Sequence, residues 1–257
     1  MQAAANSLKD KISQDFAVVN DTILALADAK HSELVPIITK YLQDAGGKRL
    51  RPMLTLAFAQ LTDQSANRDQ VINLAASVEL IHTATLLHDD VVDDGKLRRG
   101  MKTANSIWGN KTAILLGDYL FSQAFKLMVS TKNLSALELL SGTAATIAEA
   151  EVKQIESLGD AEISLDQYLQ LIRNKTAILF AAACRCGAYD APSNVQQAAY
   201  DYGMNLGMAY QIIDDTLDYF AKEDEFGKKV GGDLLEKKFT LPLFMLVRAE
   251  STSQNVI

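Results

Sequence analysis

Apolar residues recur every three or four positions along almost the whole chain, as at Leu54, Leu56, Ala57, Phe58 and Leu61. That period belongs to helices, while β-branched runs bounded by turns, the mark of strands, are scarce. The pattern predicts helices over 7–28, 32–44, 49–62, 67–94, 111–130, 133–158, 164–187, 193–221 and 239–250, and leaves nothing for a sheet. The expected fold class is all-α. Glycine and proline break the pattern at GGKRLRP (46–52), DGKLRRG (94–100), GAYDAPS (187–193) and FGKKVGGD (226–233). Connections this short, with no flexible linker and no tandem repeat, read as one antiparallel helical bundle domain over residues 1–257.

Composition narrows the functional class. With 48% hydrophobic and 22% charged residues over 257 positions, the chain can bury a core and is not disordered. No run approaches the ~18 to 20 apolar residues of a membrane span, so no stable membrane anchor is expected. The start, MQAAANSLKDKISQDF, lacks a secretory h-region, and the expected location is the cytoplasm. A net charge of −7 and a pI near 5.0 argue against nucleic acid as a partner. Cys184 and Cys186, in AAACRCGA, fit neither a disulfide framework nor CxxC metal spacing and read as buried thiols. Three histidines, His31, His82 and His88, are few for a zinc site, so a metal here should be hard and oxygen-bound.

Two acidic clusters carry the candidate chemistry. LLHDDVVDD sets Asp89, Asp90 and Asp93 at i, i+1 and i+4, with Asp94 next, and QIIDDTLDYF repeats the spacing with Asp214, Asp215 and Asp218. On a helix the first and third aspartate of each set share a face, ~6 Å apart by rise, and repel one another unless a cation intervenes. A solvated acidic face is the plain alternative, but Ala84, Leu86 and Leu87 flank one cluster and Met208, Ile212 and Ile213 the other. These seven aspartates equal the whole net charge of −7. Oxygen-only sets of this kind select Mg²⁺, which is commonly shared between carboxylates and substrate phosphates. Basic residues answer them: Lys48, Arg49 and Arg51; Arg98 and Arg99; Lys175; and Lys228, Lys229, Lys237 and Lys238. Arginine forks suit diphosphates, and lysines act as point charges. The residues describe a cavity for two diphosphates, one bridged by metal and one held directly by cations.

GGKRLRP, IHTATLLHDDVVDDGKLRRG, GDYLF, KTA, GMAYQIIDDTLDYF and GKKVGGDLLEKKFTLP stand in the order of one family. Over residues 45–244 the chain resembles the trans-polyprenyl diphosphate synthases, in particular long-chain members of the octaprenyl and decaprenyl type. The resemblance implies an isoprenoid synthase bundle with a central cavity, usually a homodimer, using about three Mg²⁺ per site. It implies Asp89, Asp93, Asp214 and Asp218 as metal ligands, with Asp90 and Asp215 in support and Lys175 beside them in the catalytic set. Arg98, Lys175, Thr176, Gln211, Lys228 and Lys238 match positions for the allylic diphosphate. Lys48, Arg51, His82 and Arg99 match those for isopentenyl diphosphate. His88 reads as structural. The implied reaction ionises the allylic diphosphate; the isopentenyl double bond then attacks the cation, and a proton leaves to the departing diphosphate. No protein nucleophile is needed, but water must be kept out.

Product length follows from the helix bearing the first motif. In this family bulky aromatics four or five residues before the first aspartate stop growth early, whereas here Thr85 and Ala84 stand there. Deeper stops fall on Ile81, Val78 and Ser77, with Phe125 and Met128 on a neighbouring helix. A C35 to C50 product for a quinone side chain is expected, unless Ala84 and Thr85 serve only close helix packing. The chain departs from the family at Lys237, where glycine is usual, and at Asp94 and Gly95, and it does not include the helices usual after LPLF. A short-chain C15 to C20 synthase, a non-catalytic subunit of a hetero-oligomeric synthase and a terpene cyclase are the competing readings. Intact acidic motifs argue against the second, and the Lys48/Arg51/Arg99 set argues against the third.

Overall fold

A computed structural model of the chain describes residues 2–26, 31–63, 67–158, 163–220 and 231–246. Its helices are α1 (Gln2–Leu26), α2 (Leu34–Asp44), α3 (Leu50–Leu61), α4 (Arg68–Val92), α5 (Ala104–Trp108), α6 (Asn110–Ser130), α7 (Leu134–Glu156), α8 (Leu165–Ile172), α9 (Ile178–Gly187), α10 (Ser193–Phe220) and α11 (Gly232–Leu235), with one more helical turn over 241–246. The all-α expectation holds, and most predicted helices appear within a few residues of their expected bounds. The differences are local. Residues 97–102 form a hairpin of two-residue strands, β1 (Leu97–Arg98) and β2 (Met101–Lys102), and five-residue α5 follows it. The helix expected over 164–187 is interrupted by a π-helical turn at Arg173–Ala177, an extra residue that a period of 3.6 conceals. Residues 247–250 of the last predicted helix lie outside the described residues.

The first acidic motif hangs from the centre of the bundle. In α4 the residues Leu74, Ala75, Val78, Ile81, Ala84 and Leu87 are all essentially inaccessible, so this helix is apolar nearly all round and packs on α6, α3, α1 and α9. Of the described helices it alone is long and apolar enough to cross a bilayer, which reflects its place in the core rather than a membrane. Facing residues Leu116, Leu120, Ala124 and Met128 of α6 close the main cluster. α9 runs through small residues, Ala181, Ala182, Ala183, Cys184 and Cys186, all buried, so α3 and α10 approach it closely. Gly207 of α10 lies where a Cβ would collide with Ala177 at the end of the π turn. That contact fixes α10, which carries the second motif, against the turn that carries Lys175 and Thr176.

Candidate active site

The first motif reaches the C-terminus of α4, where helix carbonyls already concentrate negative charge. Asp93 is the C-cap residue, its N–H still bonded to the Asp89 carbonyl at 2.8 Å, which keeps both side chains on one face. Asp89 is pushed above its ordinary pKa by burial, then by Glu151 and Asp93, with Lys175 and Arg98 opposing. Asp90 is only 7% exposed, and its Oδ1 receives Arg98 Nε at 2.9 Å and Nη2 at 2.8 Å. Asp93 accepts from Lys238 Nζ at 3.0 Å, and Lys238 also reaches Glu236 at 2.7 Å. Its ammonium is thus held against the first motif.

The second motif is treated differently. Asp214 is exposed to the cavity, while Asp215 and Asp218 are buried. Asp215 accepts from Tyr168 Oη at 2.6 Å and from Gln211 Nε2 at 2.7 Å, and Gln211 Oε1 accepts from the Thr176 hydroxyl at 2.7 Å. Asp218 accepts the backbone N–H of Asp233 at 3.0 Å. Asp233 itself is pushed up to about 7 by burial and by Asp218 and Asp215. Lys175 Nζ donates to Glu151 Oε2 at 2.7 Å and to Gln154 Oε1 at 2.6 Å, both on α7.

A cavity of about 340 Å³ lies between the motifs, and its wall includes Asp89, Lys175, Thr176, Gln211 and Asp214 together with Lys48, Arg51, His82, Arg98 and Arg99. A second cavity of about 190 Å³ shares Lys175, Thr176, Gln211 and Asp214 and continues to Asp215, Asp233, Lys237 and Lys238. Of the residues the sequence singles out, Asp90, Asp93 and Asp218 line neither of these two cavities, and Lys228 lies outside the described residues. His88 packs on α6 instead, stacked 6.2 Å from the Phe121 ring and 3.1 Å from the Ile114 carbonyl.

The basic wall is preorganised. The Arg51 guanidinium lies 4.2 Å over the Phe180 ring, its Nε has no protein partner, and burial lowers its pKa to about 10. Arg99 donates to the Gly46 carbonyl and presses on Gly47, whose φ of +143° and proximity to the guanidinium leave no room for a Cβ. His82 is held well below its usual pKa by burial and by Arg51, Arg99 and Arg98, so it faces the cavity neutral. Arg49 also lines this cavity, bonds Asn20 of α1 and lies 3.9 Å from Glu79. Glu79 is a largely buried carboxylate among three arginines, and its Oε2 is unpartnered. Sequence reasoning did not single out Glu79, Glu151, Gln154, Tyr168 or Asp233. The available signal for Glu79 was a carboxylate inside an otherwise apolar helical run, AASVELI.

The chain-length candidates fall in different surroundings. Only Thr85 among them lines the larger cavity, beside Leu86 and Ile147. Ser77, Val78, Ile81, Ala84 and Met128 lie in the packed core, and the Ser77 hydroxyl is spent on the Asn73 and Ala124 carbonyls. Phe125 is 42% exposed on the outward side of α6 rather than at a floor. The helical period that places these side chains along α4 and α6 does not reveal how tightly the two helices close.

The donors at the acidic motifs are oxygens only, and burial, with repulsion from neighbouring carboxylates, raises Asp89 and Asp233 despite Lys175, Arg98 and Lys238 nearby. Such a set fits a hard divalent cation. Among the described residues no three acidic or metal-binding side chains already converge as a closed centre. An all-α cavity with two acidic motifs facing a wall of arginines defines a class that handles diphosphates. The chain belongs to the polyprenyl synthetase family, whose match covers residues 32–257, and it is a prenyltransferase of that family. It is 41% identical over 238 residues to octaprenyl diphosphate synthase of Escherichia coli, covering 92% of this chain and 73% of that protein. The fold matches a polyprenyl synthase from Caulobacter crescentus, solved with calcium and isoprenyl diphosphate, at a TM-score of 0.89 and 44% identity over 95% of this chain and 74% of that one. It also matches a decaprenyl diphosphate synthase from Rhodobacter capsulatus at a TM-score of 0.84 and 46% identity, over 93% and 73% of the two chains.

Proposed function

We propose that the protein is a Mg²⁺-dependent all-trans polyprenyl diphosphate synthase that extends an allylic diphosphate with isopentenyl diphosphate to a C35–C50 product, of the kind attached to quinones. The observation that carries this reading is one cavity with two chemically different anion walls, oxygen donors at Asp89 and Asp214 and cations at Lys48, Arg51 and Arg99. Magnesium, when bound by Asp89, Asp93, Asp214 and Asp218, supplies charge neutralisation for the departing diphosphate. Lys175, Arg98 and Thr176 orient that diphosphate, and Lys228 and Lys238 are assigned with them. Lys48, Arg51, neutral His82 and Arg99 hold isopentenyl diphosphate so that its double bond meets the allylic carbon. Thr85, Leu86, Ile147 and Phe180 line the same space and exclude water that would quench the cation.

The relatives named octaprenyl and decaprenyl diphosphate synthase support the long product, as do the small residues at 84 and 85. A C15–C20 product is the second reading, favoured by the close packing of Ile81 and Val78 beneath Thr85. The protein acts as one domain, in the cytoplasm, as a homodimer; the outward apolar side chains Leu115, Phe125 and Val129 of α6 support self-association. Incubation with Mg²⁺, farnesyl diphosphate and labelled isopentenyl diphosphate, with chromatographic sizing of the products, tests the reading. A ladder ending between C35 and C50, shortened by Thr85→Phe at the cavity wall, agrees with it. An endpoint at C15 or C20 selects the second reading, and release of unphosphorylated alcohol without elongation contradicts both.

A further inference from the structure

We propose that Tyr168 is a positioning residue that sets the rotation of α10 and thereby aims the second acidic motif. This rests on the diphosphate reading given above. Successive residues of a helix point about 100° apart, so Asp214 and Asp215 leave α10 in different directions, one exposed and one buried. Asp215 points at Tyr168, a side chain 2% exposed whose hydroxyl donates to it at 2.6 Å. Its other oxygen takes Gln211 Nε2 at 2.7 Å, which leaves Gln211 Oε1 to receive the Thr176 hydroxyl at 2.7 Å. One chain of hydrogen bonds therefore joins α8, α10 and the π turn. Both oxygens of Asp215 are used in it, so this aspartate acts as an anchor, and Asp214 is left facing the cavity that Lys175 and Thr176 also line.

The chemistry of the anchor matters. A cation in place of Tyr168 would hold Asp215 equally well but would cancel charge that the site needs for its own cations. A phenol orients the carboxylate and leaves the negative charge of the motif in place. Its ring packs 5.7 Å from Phe244, so the hydroxyl can be deleted while the aromatic packing stays.

Tyr168→Phe is the test, read by calorimetry with two ligands: the unreactive farnesyl thiodiphosphate with Mg²⁺, and isopentenyl diphosphate with chelator present. The expected result is about tenfold weaker binding of the first, unchanged binding of the second, and about tenfold lower kcat with the KM for isopentenyl diphosphate unchanged. A cycle with Thr176→Val supplies the second readout, because residues joined in one chain show combined losses smaller than the product of the single ones. Wild-type binding of both ligands by Tyr168→Phe, equal weakening of both, or losses that simply multiply in the cycle would each overturn the positioning role. Failure of the unaltered protein to bind the thiodiphosphate would overturn the diphosphate reading, and this role with it.

Discussion

The two acidic motifs have the same spacing and nearly the same letters, yet the fold answers them with opposite chemistry. In the first, each aspartate has a cation at hand: Arg98 on Asp90, Lys238 on Asp93, and Lys175 acting on Asp89. In the second, the partners are neutral, Tyr168 and Gln211 on Asp215 and a backbone N–H on Asp218. Neutral donors fix geometry without removing charge, whereas ion pairs do both. In the first motif Asp90 and Asp93 are therefore ion-paired before any ligand arrives. The second keeps its field for what enters the cavity.

The comparison breaks most visibly if the exposed carboxylate of the second motif is removed. Asp214→Ala should lower kcat by about 10³-fold, the order expected when one preorganised electrostatic element is lost, as read by incorporation of labelled isopentenyl diphosphate. A loss below tenfold would mean that the second motif does not bear the leaving group. Next in size is Arg98→Lys, which keeps the charge but loses the fork on Asp90. About tenfold higher KM for the allylic diphosphate is expected, with the KM for isopentenyl diphosphate unmoved.

The pH dependence of stability tests a property the two motifs share. Asp233, beside the second motif, sits near 7 against an ordinary 3.8, and Asp89 is raised in the same direction. Both are more readily protonated in the folded chain than in the unfolded one, so the metal-free fold loses stability as pH rises from about 4 to about 7. Mg²⁺ favours the ionised carboxylates and should offset that decline. Thermal melts with chelator and with Mg²⁺ across this window should diverge as pH rises; parallel curves would contradict the cation assignment. The smallest effect is expected at Lys237, which holds a left-handed φ of +59° where a glycine costs nothing. Lys237→Gly should stabilise the fold by about 1 kcal/mol, seen as a higher melting temperature with kcat unchanged.

Lys237 also illustrates what the sequence could and could not disclose. Its departure from the family's glycine was visible in the letters, but the backbone conformation that makes glycine the natural choice was not. The helices were legible because each is long and its apolar period repeats many times. Five-residue α5, the two-residue strands and the π turn at 173–177 are too short to leave a period. At the site, Lys48, Arg51, Arg98, Arg99 and both aspartate sets were legible because each lies in a compact motif. Tyr168 was not, because its partner Asp215 is 47 residues away and a buried tyrosine in an amphipathic helix reads as core. Glu79 stood out as a carboxylate in an apolar run, but its partners, Arg49, Arg51 and Arg99, lie far from it in sequence.

The central claim is that one diphosphate is held by side-chain cations and the other through a divalent metal. Calorimetric titration of isopentenyl diphosphate and of farnesyl thiodiphosphate, each with Mg²⁺ and with chelator, tests it most directly. The account predicts that isopentenyl diphosphate binds similarly in both conditions while the thiodiphosphate binds only with Mg²⁺. Metal-independent binding of the thiodiphosphate, or an absolute metal requirement for isopentenyl diphosphate, would contradict it.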